Sequence, residues 1–203
     1  VGGENLVYNS SFEEVDPGTP GVGNGWWYDG SAGTRMPSLV PSTVAPGNAQ
    51  RLDVTGLSPS AWARVYVKQS MRFKVTPGQT YTASVYVRGT PGLRVLVAVY
   101  NLNAAGSNTA SWASVRQDAT LDWVRLVVTF VASSDTVLLY PSVVVYGGAS
   151  VTGGFIEADQ YQVERGAVAT GWRDNGQVSA GKLAANASAT EALSSKVTQQ
   201  GAD

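Results

Sequence analysis

Short runs in which apolar and polar residues alternate dominate the chain up to about residue 166. Residues 80–89 are the clearest case, because apolar side chains occupy every second position, as on the buried face of a strand. Similar runs, rich in β-branched residues, predict strands at residues 64–75, 93–101, 123–132, 136–146 and 155–164. The Gly- and Pro-rich residues 30–47 are predicted to form a long loop. The pattern predicts an all-β domain.

Two neighbouring runs predict a shared outer surface. The polar positions of residues 80–89 include Tyr86 and Arg88, and the same alternation in residues 93–101 carries Tyr100. If these two strands pair in one sheet, Arg88 and Tyr100 lie on the same outer face. That face is then a candidate cleft.

The composition changes after Trp172. Residues 180–200 contain neither Pro nor an aromatic residue and are rich in Ala and Ser, which predicts a helix. A weak heptad seam is formed by three positions spaced seven apart, Leu183, Thr190 and Val197. Two alternatives remain for this segment: a short coiled coil, for which we expect three chains, and an exposed tail. We divide the chain into a β-domain, residues 1–172, and a linker with the start of a helical stalk, residues 173–203.

Composition excludes several classes of function. The 14 basic and 15 acidic residues are scattered, so no basic stripe is present to bind nucleic acid. The longest apolar run, residues 137–146, is shorter than the roughly 20 residues of a membrane helix, and we expect no membrane insertion. The absence of Cys and His excludes disulfides, Ser-His-Asp triads and zinc held by thiolate or imidazole. Carboxylate pairs such as Glu157 and Asp159 are ordinary on a surface strand, so we expect no catalysis.

Residues 4–13, Glu-Asn-Leu-Val-Tyr-Asn-Ser-Ser-Phe-Glu, resemble the opening strand of carbohydrate-binding modules of families four, nine and twenty-two. The similarity continues in the same order through Gly25-Trp26 and residues 49–53, 67–88, 122–130 and 155–166. In the last segment, Ala158 stands where the family usually has the first of two adjacent aspartates. The resemblance implies a jelly-roll β-sandwich of two antiparallel sheets.

The end of the β-domain resembles the version of this module found in phage tail tip-attachment or central fibre proteins. The similar segments are Gln162-Val-Glu-Arg-Gly, Ala169-Thr-Gly-Trp and residues 185–201. Because such proteins are trimeric, the resemblance implies a homotrimer through the C-terminal helix, contacts with other tail proteins and a place in the virion. The implied function is non-catalytic recognition of bacterial cell-surface polysaccharide or lipopolysaccharide glycan during host attachment. The alternatives are a structural decoration or trimerisation domain without glycan binding, and an accessory module of a polysaccharide-degrading enzyme.

A glycan site needs flat aromatic rings for the apolar faces of sugars and polar groups for their hydroxyls. Trp62 matches a stacking tryptophan of related modules, and Tyr100 lies where they have a cleft strand. Trp112 is flanked by small polar residues, which favours exposure. For each of them, ordinary packing or surface decoration is the alternative. The predicted carbohydrate-binding residues are Trp27, Trp62, Gln69, Tyr86, Arg88, Tyr100 and Trp112.

The resemblance also implies a structural calcium ion. Glu13 and Asp159 fall on the first and last strands, which are neighbours in this fold, and similar modules hold calcium there. Carboxylate and carbonyl oxygens are the ligands that calcium prefers. Ala158 departs from the family's pattern, and two solvated acids at the base of the domain are the alternative.

Overall fold

The computed structural model describes residues 4–174, so the predicted stalk lies outside the described residues except for residues 173 and 174. Between residues 4 and 174 the chain forms twelve β-strands and one short 3₁₀ helix, Gln69–Met71. The strands are β1 (Trp26–Gly30), β2 (Thr34–Pro41), β3 (Asn48–Thr55), β4 (Trp62–Val67), β5 (Phe73–Lys74), β6 (Thr80–Gly89), β7 (Arg94–Leu102), β8 (Ser111–Ala113), β9 (Gln117–Asp118), β10 (Val124–Val131), β11 (Leu138–Tyr146) and β12 (Gly154–Arg165). No helix in this range is long and apolar enough to cross a bilayer.

The strands form two sheets that pack face to face. The large sheet has the order β1-β4-β11-β7-β8, with β5 also paired to β11 and β9 to β7. The small sheet has the order β10-β6-β12-β3-β2. All pairings between these strands are antiparallel. The prediction of an all-β sandwich of two antiparallel sheets is confirmed for the described residues.

The core lies between the sheets and contains three aromatic rings at one end. Trp26 is fully buried, with ring centroids 4.9 Å from Phe12 and 5.7 Å from Tyr161. Its indole N–H donates to the carbonyl of Asn9 at 3.1 Å. The Tyr161 hydroxyl donates to the carbonyl of Ala98 at 3.2 Å, which ties the small sheet to the large one. Because buried polar groups are satisfied in this way, the sandwich is a rigid support for its outer faces.

The strands β6 and β7 lie in different sheets, so the shared face predicted for Arg88 and Tyr100 is wrong. A turn at residues 90–93 carries the chain from the small sheet to the large one. Both strands have one apolar face, and Val85 and Val97 point from opposite sides into the same core. Alternation predicts which residues point inward but does not predict which strands are neighbours.

Three other predictions about local structure are also wrong. Residues 4–13, which include Glu13, were expected to form the opening strand but have turn and irregular backbone. Residues 34–41, predicted as part of a loop, form β2 at the edge of the small sheet, where Pro37 and Pro41 are tolerated because an edge strand needs fewer hydrogen-bond donors. The strand predicted at residues 64–75 stops at Val67, and the 3₁₀ helix separates it from β5. Pro141 lies within β11, between the residues that pair with β5 and the residues that pair with β4.

Candidate functional site

We call the outer face of the large sheet the open face. Its side chains come from alternate positions of β1, β4, β7 and β11, because successive residues of a strand point to opposite sides. Val65 of β4 points inward and is buried, whereas its neighbours Arg64 and Tyr66 point outward. The residues of the open face are Trp27, Asp29, Trp62, Arg64, Tyr66, Leu96, Ala98, Tyr100, Tyr140, Ser142, Val144 and Tyr146.

The open face has a buried floor and an aromatic border. The floor consists of the small or aliphatic side chains Leu96, Ala98, Ser142 and Val144. Trp62, Tyr100 and Tyr146 pack against the apolar members of this floor and stay partly exposed. The border rings are therefore fixed by packing and still present surface to solvent.

Three tyrosines form a connected patch across β4, β11 and β7. Tyr100 and Tyr140 are directly opposite in the β7–β11 pairing, and their rings stack with centroids 4.9 Å apart. Tyr66 meets Tyr140 edge-on at 6.3 Å. Such ring pairs contribute about 0.5–1.5 kcal/mol each beyond their buried area. The patch is consequently preorganised.

Arg64 lies at the centre of the open face. Its guanidinium carbon is 4.5 Å from the ring centroid of Tyr66, and it lies 5.0 Å from Trp62 and 5.3 Å from Tyr100. Asp29, opposite Arg64 in the β1–β4 pairing, accepts hydrogen bonds from Nε at 2.7 Å and Nη2 at 2.9 Å. Burial acts to lower the pKa of Arg64, but Asp29 raises that pKa above its ordinary value. The open face thus has a permanent cation held in one orientation.

The hydroxyls of Tyr66 and Tyr100 remain protonated at neutral pH. Burial raises the pKa values of Tyr66 and Tyr100 above the ordinary tyrosine value, and the charge of Asp29 raises that of Tyr66 further. The Tyr66 hydroxyl interacts with Asp29 and the Tyr100 hydroxyl with Arg64, and a hydroxyl can both donate and accept, so each keeps further hydrogen-bonding capacity. Flat rings, hydroxyls and a fixed guanidinium together suit a ligand with apolar ring faces and many hydroxyl groups.

Three of the predicted glycan-binding residues are brought together on the open face. Trp62 and Tyr100 both contact its floor. Trp27, which is 37% exposed, lies opposite Tyr66 in the β1–β4 pairing, with Lys68 5.1 Å above its ring. Their contact with a sugar stays a prediction.

Tyr86 and Arg88 are not on this face. Both belong to β6 of the small sheet, on the opposite side of the sandwich. Arg88 donates to Glu157 at 2.6 Å and lies 5.0 Å from the ring centroid of Trp123. Tyr86 lies under the guanidinium of Arg125, at 5.6 Å. These side chains are engaged in contacts within the small sheet.

Trp112 and Gln69 also lie away from the centre of the open face. Trp112 of β8 is opposite the inward-pointing Val99, and its ring stacks on Phe130 of the small sheet with centroids 4.6 Å apart. It therefore closes the edge of the sandwich and is only partly exposed, and the sequence did not indicate the stack because the partner ring is distant in the chain. Gln69 is exposed in the 3₁₀ helix after β4, at the border of the open face.

Several residues of the open face were missed from the sequence, although the signal was present. Arg64 and Tyr66 follow Trp62 at steps of two, so the alternation of β4 places all three on one side. Tyr140 and Tyr146 fall six apart in a run correctly predicted as a strand. What the sequence did not reveal is that β4, β11 and β7 are neighbours.

Glu13 and Asp159 lie on the wall of one cavity of about 230 Å³, together with Trp172. A β-bulge brings Asp159 there, because the pairing of β12 shifts register between Asp159 and Gln162, and Gln160 adopts a φ of 52°. Ser42 donates to the buried carboxylate of Asp159 at 2.5 Å.

The charge balance of this cavity suits a cation. The pKa of Asp159 is raised to about 7, mainly by burial and to a smaller extent by the charge of Glu13, while the hydrogen bonds from Ser42 and the Gln160 amide act to lower it. Glu13 accepts a hydrogen bond from the Asn48 amide at 2.8 Å. Among residues 4–174, no group of three or more acidic, His or Cys side chains is arranged to hold a metal. Any ion here would need backbone carbonyls as further ligands, which calcium accepts, so the predicted calcium site stays a prediction.

A family model described as a carbohydrate binding domain matches residues 4–145. The match covers well over half of the chain, so this chain belongs to that family of carbohydrate-binding modules. No curated protein matches the sequence at a significant level.

Solved structures share the fold at low sequence identity. The family 11 carbohydrate-binding module of a Clostridium thermocellum cellulase is 12% identical, with a TM-score of 0.55 over 84% of this chain and 99% of that chain. TmCBM61, solved in complex with β-1,4-galactotriose, is 16% identical, with a TM-score of 0.53 over 80% of this chain and 99% of that one. The enzymatically active domain of tailspike protein 4 from bacteriophage CBA120 is 16% identical, with a TM-score of 0.56 over 79% of this chain. The match spans only 21% of the tailspike chain.

Proposed function

We propose that the open face binds a bacterial cell-surface polysaccharide, and that the protein is a non-catalytic recognition module of a phage tail tip or tail fibre. The observation that carries this proposal is the aromatic border around a fixed guanidinium. Trp62 and Tyr100 offer rings for the apolar faces of successive sugars, while Arg64 and Tyr66 offer donors to their hydroxyl groups. Binding by this face needs no bond to be made or broken.

The rigidity of the open face favours affinity. Ordering a side chain on binding costs about 0.5–1.5 kcal/mol, and this cost is reduced where the side chain is already fixed. The Asp29 pairing fixes Arg64, and stacking on Tyr140 fixes Tyr100. Most of the stacking energy is therefore available to hold the ligand.

Glycan-array binding and host-cell pull-down test the proposal. Wild-type protein should bind, and Trp62→Ala and Tyr100→Ala should each weaken binding at least about tenfold, as for central aromatic contacts. Trp123→Ala is the matched control, since this tryptophan lies at the small sheet, where it donates to Thr43 at 2.7 Å. Absence of binding to any glycan, or equal effects of all three substitutions, would contradict the proposal. A wholly blank array would favour the structural decoration role.

The proposal includes a homotrimer, contacts with other tail proteins and a place in the virion. It is supported by the resemblance of residues 162–172 and of residues 185–201 to phage tail modules. Sedimentation velocity of the full chain should give three times the chain mass of 21.2 kDa. A monomer at all concentrations would contradict the trimer, and co-purification with a catalytic domain instead of virions would favour the accessory-module alternative.

We also propose that Glu13 and Asp159 hold a structural calcium ion. The support is that both carboxylates border one cavity and that one of them is buried. A divalent cation there would supply compensating charge and link the N-terminal segment to β12. Its role would be stability, because the open face lies on the other sheet.

A further inference from the structure

The charged groups at the open face are mainly arginines, although the chain as a whole has a net charge of -1. Arg64 is paired with Asp29, and Arg94 at the border lies 3.9 Å from Asp118. Two further arginines, Arg72 and Arg116, lie at the border, and within residues 4–174 neither of them forms a salt bridge. The open face and its border thus have a local excess of positive charge.

Each of these two arginines is stacked on a tyrosine of β11. The guanidinium carbon of Arg72 is 4.5 Å from the ring centroid of Tyr140, and that of Arg116 is 3.5 Å from the ring centroid of Tyr146. Tyr140 and Tyr146 are six residues apart on one strand, so the two cations lie roughly 20 Å apart along the open face. Stacking orients the guanidinium plane and leaves its in-plane N–H groups for acceptors.

One donor of this pair already lacks an acceptor. Within the described part of the chain, the Nε–H group of Arg72 is buried without a hydrogen-bond partner. The hydroxyl of Ser142, two residues from Tyr140 on the floor of the open face, is likewise buried and unpartnered. Buried polar groups are nearly always satisfied, by protein or by ordered water, so these two atoms mark a place where hydrogen bonding within the described residues is incomplete.

We propose that the open face selects an acidic polysaccharide, one that bears carboxylate or phosphodiester groups. Arg72 and Arg116 bind these anionic groups at the two ends, while the aromatic border stacks on the sugar rings between them. This inference rests on the proposed function of the open face. Carboxylate and phosphodiester oxygens both match the paired donors of a guanidinium, and such charge-assisted bonds are about twice as strong as neutral ones. A neutral glycan gains the stacking alone.

The end of the open face near Arg116 also has room for a substituent. A cavity of about 420 Å³ opens there, lined by Arg94, Asp118, Ser150 and three residues with small side chains. Asp118 is the only acidic residue among the lining residues, and its carboxylate lies 3.9 Å from the guanidinium of Arg94. An acidic group attached to the sugar chain can enter this cavity beside the arginines without a clash with large side chains.

Matched pairs of polymers test this selectivity. The glycans that bind on the array are compared with acidic polysaccharides such as polygalacturonate and alginate, with their carboxyl-reduced counterparts, and with a glycerol-phosphate polymer. Isothermal titration should show acidic forms binding about tenfold more tightly than the reduced forms, since one charge-assisted contact is of that order. The advantage should shrink at high salt, because exposed charges are screened. Preference for uronate or for the phosphate polymer identifies the anionic group.

Substitutions show whether the two arginines are responsible. Arg72→Gln and Arg116→Gln should each weaken binding to the acidic polymers about fivefold and leave binding to the carboxyl-reduced polymers unchanged. Arg35→Gln, on β2 of the small sheet, is the matched control and should change neither. Equal binding of acidic and reduced polymers, or an acidic advantage that survives in the double variant, would overturn the inference while the proposed function stands. Absence of binding to every polymer, neutral or acidic, would mean that the proposed function itself had failed.

Discussion

The outer faces of the two sheets both contain arginines, acidic residues and aromatic rings. They differ in how many of the charged and polar groups have hydrogen-bond or salt-bridge partners within the protein. On the small sheet, Glu157 is 2% exposed and forms salt bridges with Arg51 at 3.3 Å and Arg88 at 2.6 Å. Arg88 in turn covers Trp123. On the open face, Arg64 has one acidic partner, and the rings around it keep part of their surface in solvent.

This difference shows that an aromatic ring beside an arginine is not by itself evidence of a binding site. On the small sheet, the segment after β12 folds back so that Thr170 bonds Glu164 and Arg173 bonds Gln162. Those polar groups are satisfied by the protein. On the open face, the buried hydroxyl of Ser142 and the Nε–H of Arg72 lack such partners within the described residues. The two faces thus contain similar residue types and differ in how fully the protein satisfies the polar groups among them.

The largest expected effect compares the two acids that hold arginines in place. Glu157→Ala should lower the free energy of unfolding by roughly 3 kcal/mol, because it leaves Arg88 without its acidic partner and Arg51 with Asp53 alone, and should leave glycan binding unchanged. Asp29→Ala should cost about 1 kcal/mol, since Asp29 is more exposed, and should weaken glycan binding because Arg64 loses its fixed orientation. Denaturant titration and calorimetric binding measure both. Loss of binding in the Glu157 variant with the fold intact would contradict the comparison.

Removal of calcium is expected to have the next largest effect. If Glu13 and Asp159 hold the ion, saturating calcium should stabilise the protein by about 2–3 kcal/mol, measured as a higher Tm with calcium than with chelator. Asp159→Asn should remove the difference, whereas Asp118→Asn, on the border of the large sheet, should preserve it. Identical unfolding curves of the wild-type protein in both conditions would exclude the calcium site.

A pair of tryptophan substitutions separates packing from recognition. Trp112→Ala should cost roughly 2 kcal/mol of stability through the lost contact with Phe130, with glycan binding retained. Trp62→Ala should cost about 1 kcal/mol and weaken binding strongly, because its ring borders the open face. If the folded Trp112 variant lost glycan binding and the Trp62 variant kept it, the assignment of packing to Trp112 and recognition to Trp62 would be wrong.

The smallest expected effect is the pH dependence of the small sheet. Burial acts to raise the pKa of Glu164, but hydrogen bonds from Thr170 and Gln162 lower it below its ordinary value of 4.5. The unfolded state therefore binds more protons in acid, so this stabilisation is present above about pH 4.5 and is lost as the pH falls through the folded pKa. Glu164→Gln should flatten the acid limb of a plot of Tm against pH. An unchanged acid limb would show that Glu164 does not contribute to it.

Much of the fold could be predicted from the sequence because it depends on local alternation. The strand predicted at residues 80–89 coincides with β6, and that at residues 155–164 differs from β12 only by one residue at each end. The absence of an α-helix from residues 4–174 followed from the same period of two. In contrast, β2 was missed because its two prolines and the Gly- and Pro-rich residues around it give no strand signal, and it is paired only as an edge.

The candidate site was predicted only in part, since it depends on which strands are neighbours. Trp62 and Tyr100, which were predicted to bind glycan, lie on the open face, but the partners of Tyr100 were sought on β6, which the chain places in the other sheet. The stack of Trp112 on Phe130 joins residues 18 positions apart on different sheets, and no local pattern indicates it. Alternation sets the direction of each side chain, whereas long-range pairing decides which side chains meet.

The six indole N–H groups of the protein provide the most direct test of the central claim that the open face binds glycan. Their NMR signals can be followed during titration with an array-selected polysaccharide fragment. The signals of Trp27 and Trp62 should shift, while the four others, which belong to Trp26, Trp112, Trp123 and Trp172, should stay in place. Saturable binding that shifts the Trp123 signal and leaves those of Trp27 and Trp62 unchanged would contradict the claim.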